Sequence, residues 1–580
     1  MAEHIVNNLY INTKTSNPIK CEKITQTKFG EISEYKLYIS FDKPVSPEEY
    51  VVSWEEDQID MIGFWSSKTG LSHNISPDWW MREEQSRTAS GMPLMAIYNK
   101  KNENRVTVAL SDPLTPCSLR AGVVEENGKI QFQIVLFSKV CSVMKEYEVT
   151  IRIDRRPIML YQGIKDVRRW WDELGYTGAK VPEASRKPLY SAWYSFHQRT
   201  IPEEILAECK IASEYGIESL IVDDGWQTDD NSRGYAYCGD WKICKNKIPD
   251  MKSFVDEVHK LGMKFIIWFS VPFVGFESEN FEKFKGKYLK TNKRMNTCVL
   301  DPRFADVREF LVNTYASYVK EYGWDGLKLD FIDSFEQTEE SSTDYENMDC
   351  ISVEEGVRRL LSQVYEVLTE MNPEFIFEFR QSYVGPVVSQ YGNMFRVGDC
   401  PNDALMNRVC SLDLRLTSGK SPVHSDMIMW SKNDTPQAVM YQLLATMFCV
   451  PQISIRFDNI TDEHKKALKN HLKFWRSHME TILDGELEVY GIESNYTMAR
   501  STKDGESVAV LYQGVVIKVD EGCTSYIFNS TGDDCIYVES DKEMQYESFD
   551  IYGNSISSGA LGKGVNKLAV ENCGMVKLTV

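Results

Sequence analysis

Residues 219–270 contain SLIVDDGW (219–226), DMKSFVDEVHKLG (250–262) and KFIIWFS (264–270). The order is an apolar run closed by two aspartates, an amphipathic segment of helical period, and a second apolar run. A strand that is apolar at every position needs cover on both faces, and a parallel sheet crossed by helices supplies it. The same unit recurs outward in both directions. Upstream lie YSAWYS (190–195) and PEEILAECKIASEYG (202–216). Downstream, VREFLVNTYASYVKEYG (307–323) precedes DGLKLDF (325–331), and VEEGVRRLLSQVYEVLTEM (353–371) precedes FIFEFR (375–380). MFRVGD (394–399), SPVHSDMIM (421–429) and PQISI (451–455) are each followed by a helical segment. Eight units in roughly 290 residues compare with about 250 for a typical (β/α)8 barrel. A doubly wound open sheet is the alternative, but no GxGxxG follows any strand.

Outside this region the pattern changes to short β-rich runs broken by turns. EYKLYISF, RVTVALS, KIQFQIVLF and YEVTIRI precede it; SVAVLY, TSYIFN, CIYVES and MVKLTV follow. The fold class is therefore α/β: a (β/α)8 TIM barrel flanked by N-terminal and C-terminal β-sandwich domains. The expected divisions are an N-terminal β-sandwich at 1–160, a helical connector at 161–186, the barrel at 187–484 and a C-terminal β-sandwich at 485–580.

The 580 residues carry a formal net charge of −20, which repels a phosphate backbone and anionic membranes and is indifferent to a neutral sugar. The fourteen cysteines are scattered without a CxxC, and the eight histidines show no metal spacing, so reduced thiols, no metal and no cofactor are expected. The opening MAEHIVNNLYINTKTSNPIK lacks a secretory pattern and no apolar stretch reaches the length of a bilayer span. A cytoplasmic location follows as an expectation. Nothing in the pattern decides between a monomer and a homo-oligomer.

Barrel chemistry sits at the C-terminal ends of the strands. There the chain places Asp223 and Asp224, Trp268, Lys328 and Asp330, Arg380, then Arg396 and Asp399. The strand period of two turns Leu327 and Leu329 outward and Lys328 and Asp330 inward. An inward lysine and aspartate are costly unless paired or used. A structural ion pair is the bland account of them, and capping before Gly225 is that of Asp223 and Asp224. Two carboxylates across a cleft are what glycosidic cleavage requires. On this reading Asp330, kept ionised by Lys328, is the nucleophile. Asp399, with no adjacent cation in sequence, carries a raised pKa and acts as acid and then base.

The DDGW after strand two, the K-x-D-F of strand four and the R-x-G-D of strand six resemble glycoside hydrolase family 36, the melibiase-type α-galactosidases. Trp193-Tyr194, read as lying on strand one, and the IWFSVPF stretch resemble it too, as does the three-domain layout. The resemblance implies a retaining exo-acting hydrolase of terminal α-galactose, on oligosaccharides or glycoconjugates. It implies Asp330 as nucleophile, Asp223 and Asp224 at O4 and O6 of the sugar, and Lys328, Trp268 and Tyr194 as further contacts. Trp65, Trp79 and Trp80 are candidates to roof the sugar, Trp65 being placed in the site, with buried packing as the alternative.

The chain departs from that family after strand five, where FEFRQSYVGP replaces a Cys- and Gly-rich loop. Arg380-Gln381-Ser382 there is closer to the Arg-Ser of family 31. The acid/base aspartate often falls four residues after the arginine, whereas Asp399 lies three after Arg396; Asp403 is the rival, and its expected role is the N-cap of the next helix. His197 reads as a satisfied core or rim histidine. The alternatives are α-N-acetylgalactosaminidase or α-glucosidase-like specificity, an aldolase-type barrel using Lys328 as a Schiff base, and a glycan-binding pseudoenzyme.

Overall fold

A computed structural model describes residues 2–6, 9–13, 18–520 and 522–579; part of the opening stretch considered for a secretory signal lies outside them. The described residues up to Asp154 form two six-stranded sheets whose neighbouring strands are all antiparallel. Alternation along Ile32–Val45 sends Leu37, Ile39 and Phe41 into the space between the sheets. There Trp54 and its cross-strand partner Phe132 stack at 5.1 Å. The helix Leu160–Glu173 then ties the molecule together: Trp171 Nε1 donates to the Leu110 carbonyl, and Tyr161 OH to Glu488 on the first strand of the C-terminal domain.

The central sheet has eight parallel strands: β1 (Leu189–Ser191), β2 (Ser219–Val222), β3 (Lys264–Ser270), β4 (Gly326–Asp330), β5 (Ile376–Arg380), β6 (Met394–Arg396), β7 (Val423–His424) and β8 (Gln452–Ile453). They pair in chain order, β8 returns to β1, and a parallel bridge from His424 to Val450 closes the ring. Between them run α1 (Pro202–Glu214), α2 (Met251–Lys260), α3 (Ala305–Tyr322), α4 (Val353–Met371), the single turn α5 (Pro386–Ser389), α6 (Ala404–Thr417), α7 (Pro436–Ala445) and, after β8, α8 (Asp462–Ser477). This is a (β/α)8 barrel.

Its interior is layered. Leu189, Ile221, Ile266, Ile376 and Met394 form an apolar floor, into which a side chain at Gly326 would drive against the Ile376 carbonyl at 2.7 Å. One step higher the strand register places Trp268 beside Lys328 and Lys328 beside Glu378; at the top, Ser270 pairs with Asp330 and Arg380 with Arg396. The ring therefore turns from apolar to charged within two residues of each strand.

Trp193 and Tyr194 correct the strand-one reading. The strand stops at Ser191 and Trp193–Phe196 is one turn of helix, because the Ser454 hydroxyl accepts the Tyr194 and Ser195 N–H groups that a ladder would otherwise use. Residues beyond Gly485 form a seven-stranded and a three-stranded sheet around their own apolar core. Among the described residues no helix is long and apolar enough to cross a membrane.

Candidate active site

Asp330 ends β4 and is buried at the barrel mouth. Its Oδ1 accepts from Arg380 Nε (2.9 Å), Tyr383 OH (2.6 Å) and the Phe331 N–H (2.8 Å); its Oδ2 accepts from Trp268 Nε1 (3.0 Å). Phe331 adopts a left-handed φ of 63°, which aims that N–H back at the carboxylate. Such a conformation is strained for a bulky residue and persists where packing over-determines it. Here Phe331 packs on Phe273 (4.7 Å) and Tyr235 (5.1 Å). Burial is the largest influence on Asp330 and would raise its pKa. Arg380, then Lys328, with the Tyr383 and Trp268 hydrogen bonds, outweigh it and hold the carboxyl well below the usual range.

Lys328 does not make the contact expected of it. Its Nζ lies 2.5 Å from Asp223 Oδ2 across the barrel, and Arg380 is the cation touching Asp330. Burial works against the Lys328 charge, yet Asp223 and the carboxylates around it keep its pKa above the ordinary value. Asp223 Oδ1 accepts the Asp224 N–H (2.9 Å), while Asp224 is held by Gln198 Nε2 (2.6 Å) and Gln227 Nε2 (2.7 Å). Those neutral donors only partly offset burial, which pushes Asp224 up to about 6. The turn they sit on needs Gly225: at φ 112° it passes 2.5 Å, measured from an ideal Cβ, from Gln198 Cα.

Arg396 is buried and reaches three carboxylates: Asp426 Oδ1 at 2.6 Å, Asp399 Oδ1 at 2.9 Å and Glu378 Oε1 at 3.7 Å. Asp399 itself is 57% exposed at the side chain. Its expected raised pKa is not what the geometry gives. Burial would raise it, but Arg396, three residues back at the end of β6, and then Arg380 lower it below the ordinary value. Asp403 caps α6 by accepting the Met406 N–H at 2.9 Å.

Trp65 is also a correction. It is fully buried, and its indole donates to Asp413 of α6 at 2.8 Å, so packing against the barrel's flank, not a roof over its mouth, is its position. Trp79 and Trp80 are 69% and 74% exposed on the N-terminal domain, Trp79 donating to Glu125 of that domain. The segment beyond Trp65 does reach the mouth: Gln381 Nε2 donates to the Ser67 carbonyl and the Gly91 N–H to the Ser382 carbonyl. His197 is exposed and stacks edge-on to Trp193.

Sequence reasoning missed Tyr383, Gln198, Gln227, Tyr235, Glu378 and Asp426. Asp426 is the most connected: beyond Arg396 it accepts Tyr194 OH (2.8 Å) and the Cys400 N–H (2.7 Å). Its place after β7 in HSDMIM was the available signal. Among the described residues no three His, Cys, Asp or Glu side chains are grouped to hold a metal ion.

Fold and site define a class: a (β/α)8 barrel between two β-domains, with a ring of carboxylates and cations at its mouth. Residues 181–417 match the family model described as Melibiase. It is 28% identical over 214 residues to α-galactosidase Mel36A of Lactobacillus acidophilus, and 26% over 238 residues to α-galactosidase AgaA of Geobacillus stearothermophilus. Those stretches cover 34% and 38% of this chain but only 28% and 31% of the relatives. In fold, a variant of AgaA solved with 1-deoxygalactonojirimycin superimposes over 99% of this chain and 81% of its own, with a TM-score of 0.65 at 14% identity. A second, solved with raffinose, gives 0.63 over 98% and 81% at 15% identity.

Proposed function

We propose that this protein is a retaining, exo-acting hydrolase of terminal α-linked galactose, with Asp330 as nucleophile and Asp399 as acid/base. The observation that carries the reading is the state of Asp330: a buried carboxylate kept ionised by Arg380 and Lys328, with three donors on Oδ1 and one on Oδ2. The less committed Oδ2 attacks the anomeric carbon. As the glycosidic bond breaks, its oxygen takes a proton from Asp399, leaving a glycosyl ester on Asp330. Asp399 then removes a proton from water, whose oxygen displaces Asp330 and regenerates both carboxyl groups. Asp399 is ionised at rest and must take up a proton before the first step. A sugar seated over its exposed face removes water and raises its pKa, which couples binding to that uptake.

Asp223 and Asp224, fixed by Lys328, Gln198 and Gln227, supply charged acceptors for O4 and O6 of the sugar. Relatives named α-galactosidases and the raffinose complex support galactose as that sugar. Lys328 disfavours the aldolase reading: an ammonium ion held at 2.5 Å from Asp223 is not the free amine that a Schiff base requires. The unpaired cysteines support a cytoplasmic setting.

The test is hydrolysis of 4-nitrophenyl α-galactoside and α-glucoside, with the first-formed anomer followed by NMR. Release of α-galactose, with the glucoside poor, is expected. Initial β-galactose would require inversion and a different pair of roles; equal cleavage of the glucoside would overturn the O4 assignment.

A further inference from the structure

Three of the four donors on Asp330 come from two neighbouring segments: Phe331 from the loop after β4, Arg380 and Tyr383 from the end of β5 and the loop after it. A hairpin of the N-terminal domain, Arg87–Ser90, joins those two loops from outside the barrel; its ends exchange backbone hydrogen bonds at 2.9 and 3.0 Å. On one side the Arg87 guanidinium donates through both terminal nitrogens, one to the Phe335 carbonyl and one to the Asp333 carbonyl. On the other, Ser90 Oγ lies 3.1 Å from Ser382 Oγ, and the Gly91 N–H donates to the Ser382 carbonyl at 2.7 Å. Resting on the assignment of Asp330 as nucleophile, we propose that Arg87 is its positioning residue, holding the turn after β4 in the register with β5 that the attacking carboxylate needs.

Arg87 reaches Asp330 through the backbone. Phe331 follows the nucleophile and leads into the turn Ile332–Ser334. Within that turn the Ser334 N–H donates to the Phe331 carbonyl at 2.8 Å and the Phe335 N–H to the Ile332 carbonyl at 3.2 Å. Those bonds leave the Asp333 and Phe335 carbonyls to Arg87, and a guanidinium, being a rigid planar fork, fixes the two relative to each other. A fixed turn holds the Phe331 carbonyl, and with it the left-handed backbone that aims the Phe331 N–H at Asp330 Oδ1. The second loop is pressed against the same hairpin: an ideal Cβ on Gly385 would lie 2.5 Å from the Gly91 carbonyl, and Ser382 Oγ lies 3.4 Å from Asp333 Oδ2. The hairpin is itself anchored, since Lys68 Nζ donates to Ser90 Oγ at 3.1 Å and to the Gln85 carbonyl at 3.0 Å. Arg87 is not among the donors to Asp330, so it sets where the carboxylate points without touching it.

The experiment follows hydrolysis of 4-nitrophenyl α-galactoside and covalent labelling by 5-fluoro-α-galactosyl fluoride in the wild type, Arg87→Ala, Arg87→Lys and Asp330→Asn. Arg87→Ala should lower kcat and the labelling rate together by roughly tenfold to a hundredfold, the scale of a small misplacement of an attacking group. KM should change by less than about twofold, because an interaction that matters in the transition state is what has been lost. Added guanidinium ion should restore part of both rates in Arg87→Ala. Arg87→Lys keeps the charge that acts on Asp333, Glu336 and Glu354 but lacks the fork. It should fall between the wild type and Arg87→Ala, and it gives the answer should the alanine variant not fold. Wild-type kcat and labelling in the folded variants, with only the denaturant midpoint lowered, would overturn the proposal, as would a rise in KM at constant kcat. Label retained in Asp330→Asn would instead overturn the nucleophile assignment, and a wild type inert on the aryl galactoside would overturn the activity reading.

Discussion

Asp330 and Asp413 are both buried and both accept one indole N–H and one tyrosine hydroxyl. Asp330 takes them from Trp268 and Tyr383; Asp413 takes them from Trp65 of the N-terminal domain and Tyr496 of the C-terminal domain. Their pKa values are nonetheless shifted in opposite directions. Burial is the largest influence on each, yet Asp413 is pushed up to about 7 while Asp330 is held well below the usual range. The difference is cations: Arg380 and Lys328 act on Asp330, and no cation is among the influences on Asp413. Neutral donors orient a buried carboxyl, but a nearby positive charge is what keeps it ionised. The same pair of aromatic donors thus serves a chemical role at the mouth and a structural one where three domains meet.

Removing the charge altogether gives the largest effect. Asp330→Asn should lower turnover by several orders of magnitude with the fold intact, and azide should partly restore it as a β-galactosyl azide. Substantial hydrolysis without azide would mean that the cation-rich aspartate is not the nucleophile.

Arg380→Ala makes Asp330 resemble Asp413. Stripping one partner from a buried pair costs on the order of 3–5 kcal/mol, and the Asp330 pKa must rise. A depressed carboxyl is active above its folded pKa and fails as pH falls through it, so the acid limb of kcat/KM should move to higher pH. An unmoved limb would mean that Lys328 alone holds the charge.

Asp399 tests the reverse coupling. Its pKa is lowered in the free protein by Arg396 and Arg380 against burial, and kcat/KM reports the free enzyme while kcat reports the complex. For melibiose the alkaline limb of kcat should therefore lie above that of kcat/KM. Coincident limbs would show that bound sugar does not raise Asp399.

What the sequence made legible follows the range of each interaction. Strand period alone turned Lys328 and Asp330 inward, and helix-start chemistry alone placed Asp403, because a cap reaches three residues. Lys328 pairs with Asp223 across 105 residues and Trp65 with Asp413 across 348, distances over which no local pattern carries information. Arg396 stayed undecided between Asp330 and Asp399 for a different reason: its three-residue spacing to Asp399 was visible, but whether its guanidinium pointed there depended on Asp426 and Glu378. The turn at Trp193–Phe196 likewise depended on Ser454, on the far side of the barrel's closure.

Asp413→Asn removes the titration without removing the acceptor, since an amide oxygen can take the same two donors. The folded pKa of about 7 lies above the ordinary aspartate value near 3.9. The stability it contributes is therefore fully present below about pH 4 and is lost as pH rises through about 7. The difference in unfolding free energy between variant and wild type should grow across that window by a few kcal/mol at most. A difference independent of pH would indicate that Asp413 stays ionised.

Asp403→Ala should have the smallest effect, and it separates a capping carboxylate from a chemical one on the same loop. Asp403 is exposed, and Oδ1 accepts the Met406 N–H at 2.9 Å, a group that α6 cannot satisfy internally. Its loss should cost about 0.5–2 kcal/mol of stability, read by denaturant midpoint. Catalysis should keep its dependence on leaving group: melibiose and 4-nitrophenyl galactoside should slow by the same small factor. Asp399→Ala should do the opposite, nearly stopping melibiose while the nitrophenyl substrate, whose leaving group needs little protonation, still forms the glycosyl-enzyme. Azide should then speed turnover in Asp399→Ala, by attacking without general-base help, and have no effect in Asp403→Ala. Should the leaving-group signature and the azide response appear in Asp403→Ala instead, Asp403, seven residues after Arg396, is the acid/base, and the ion pair at Asp399 is structural.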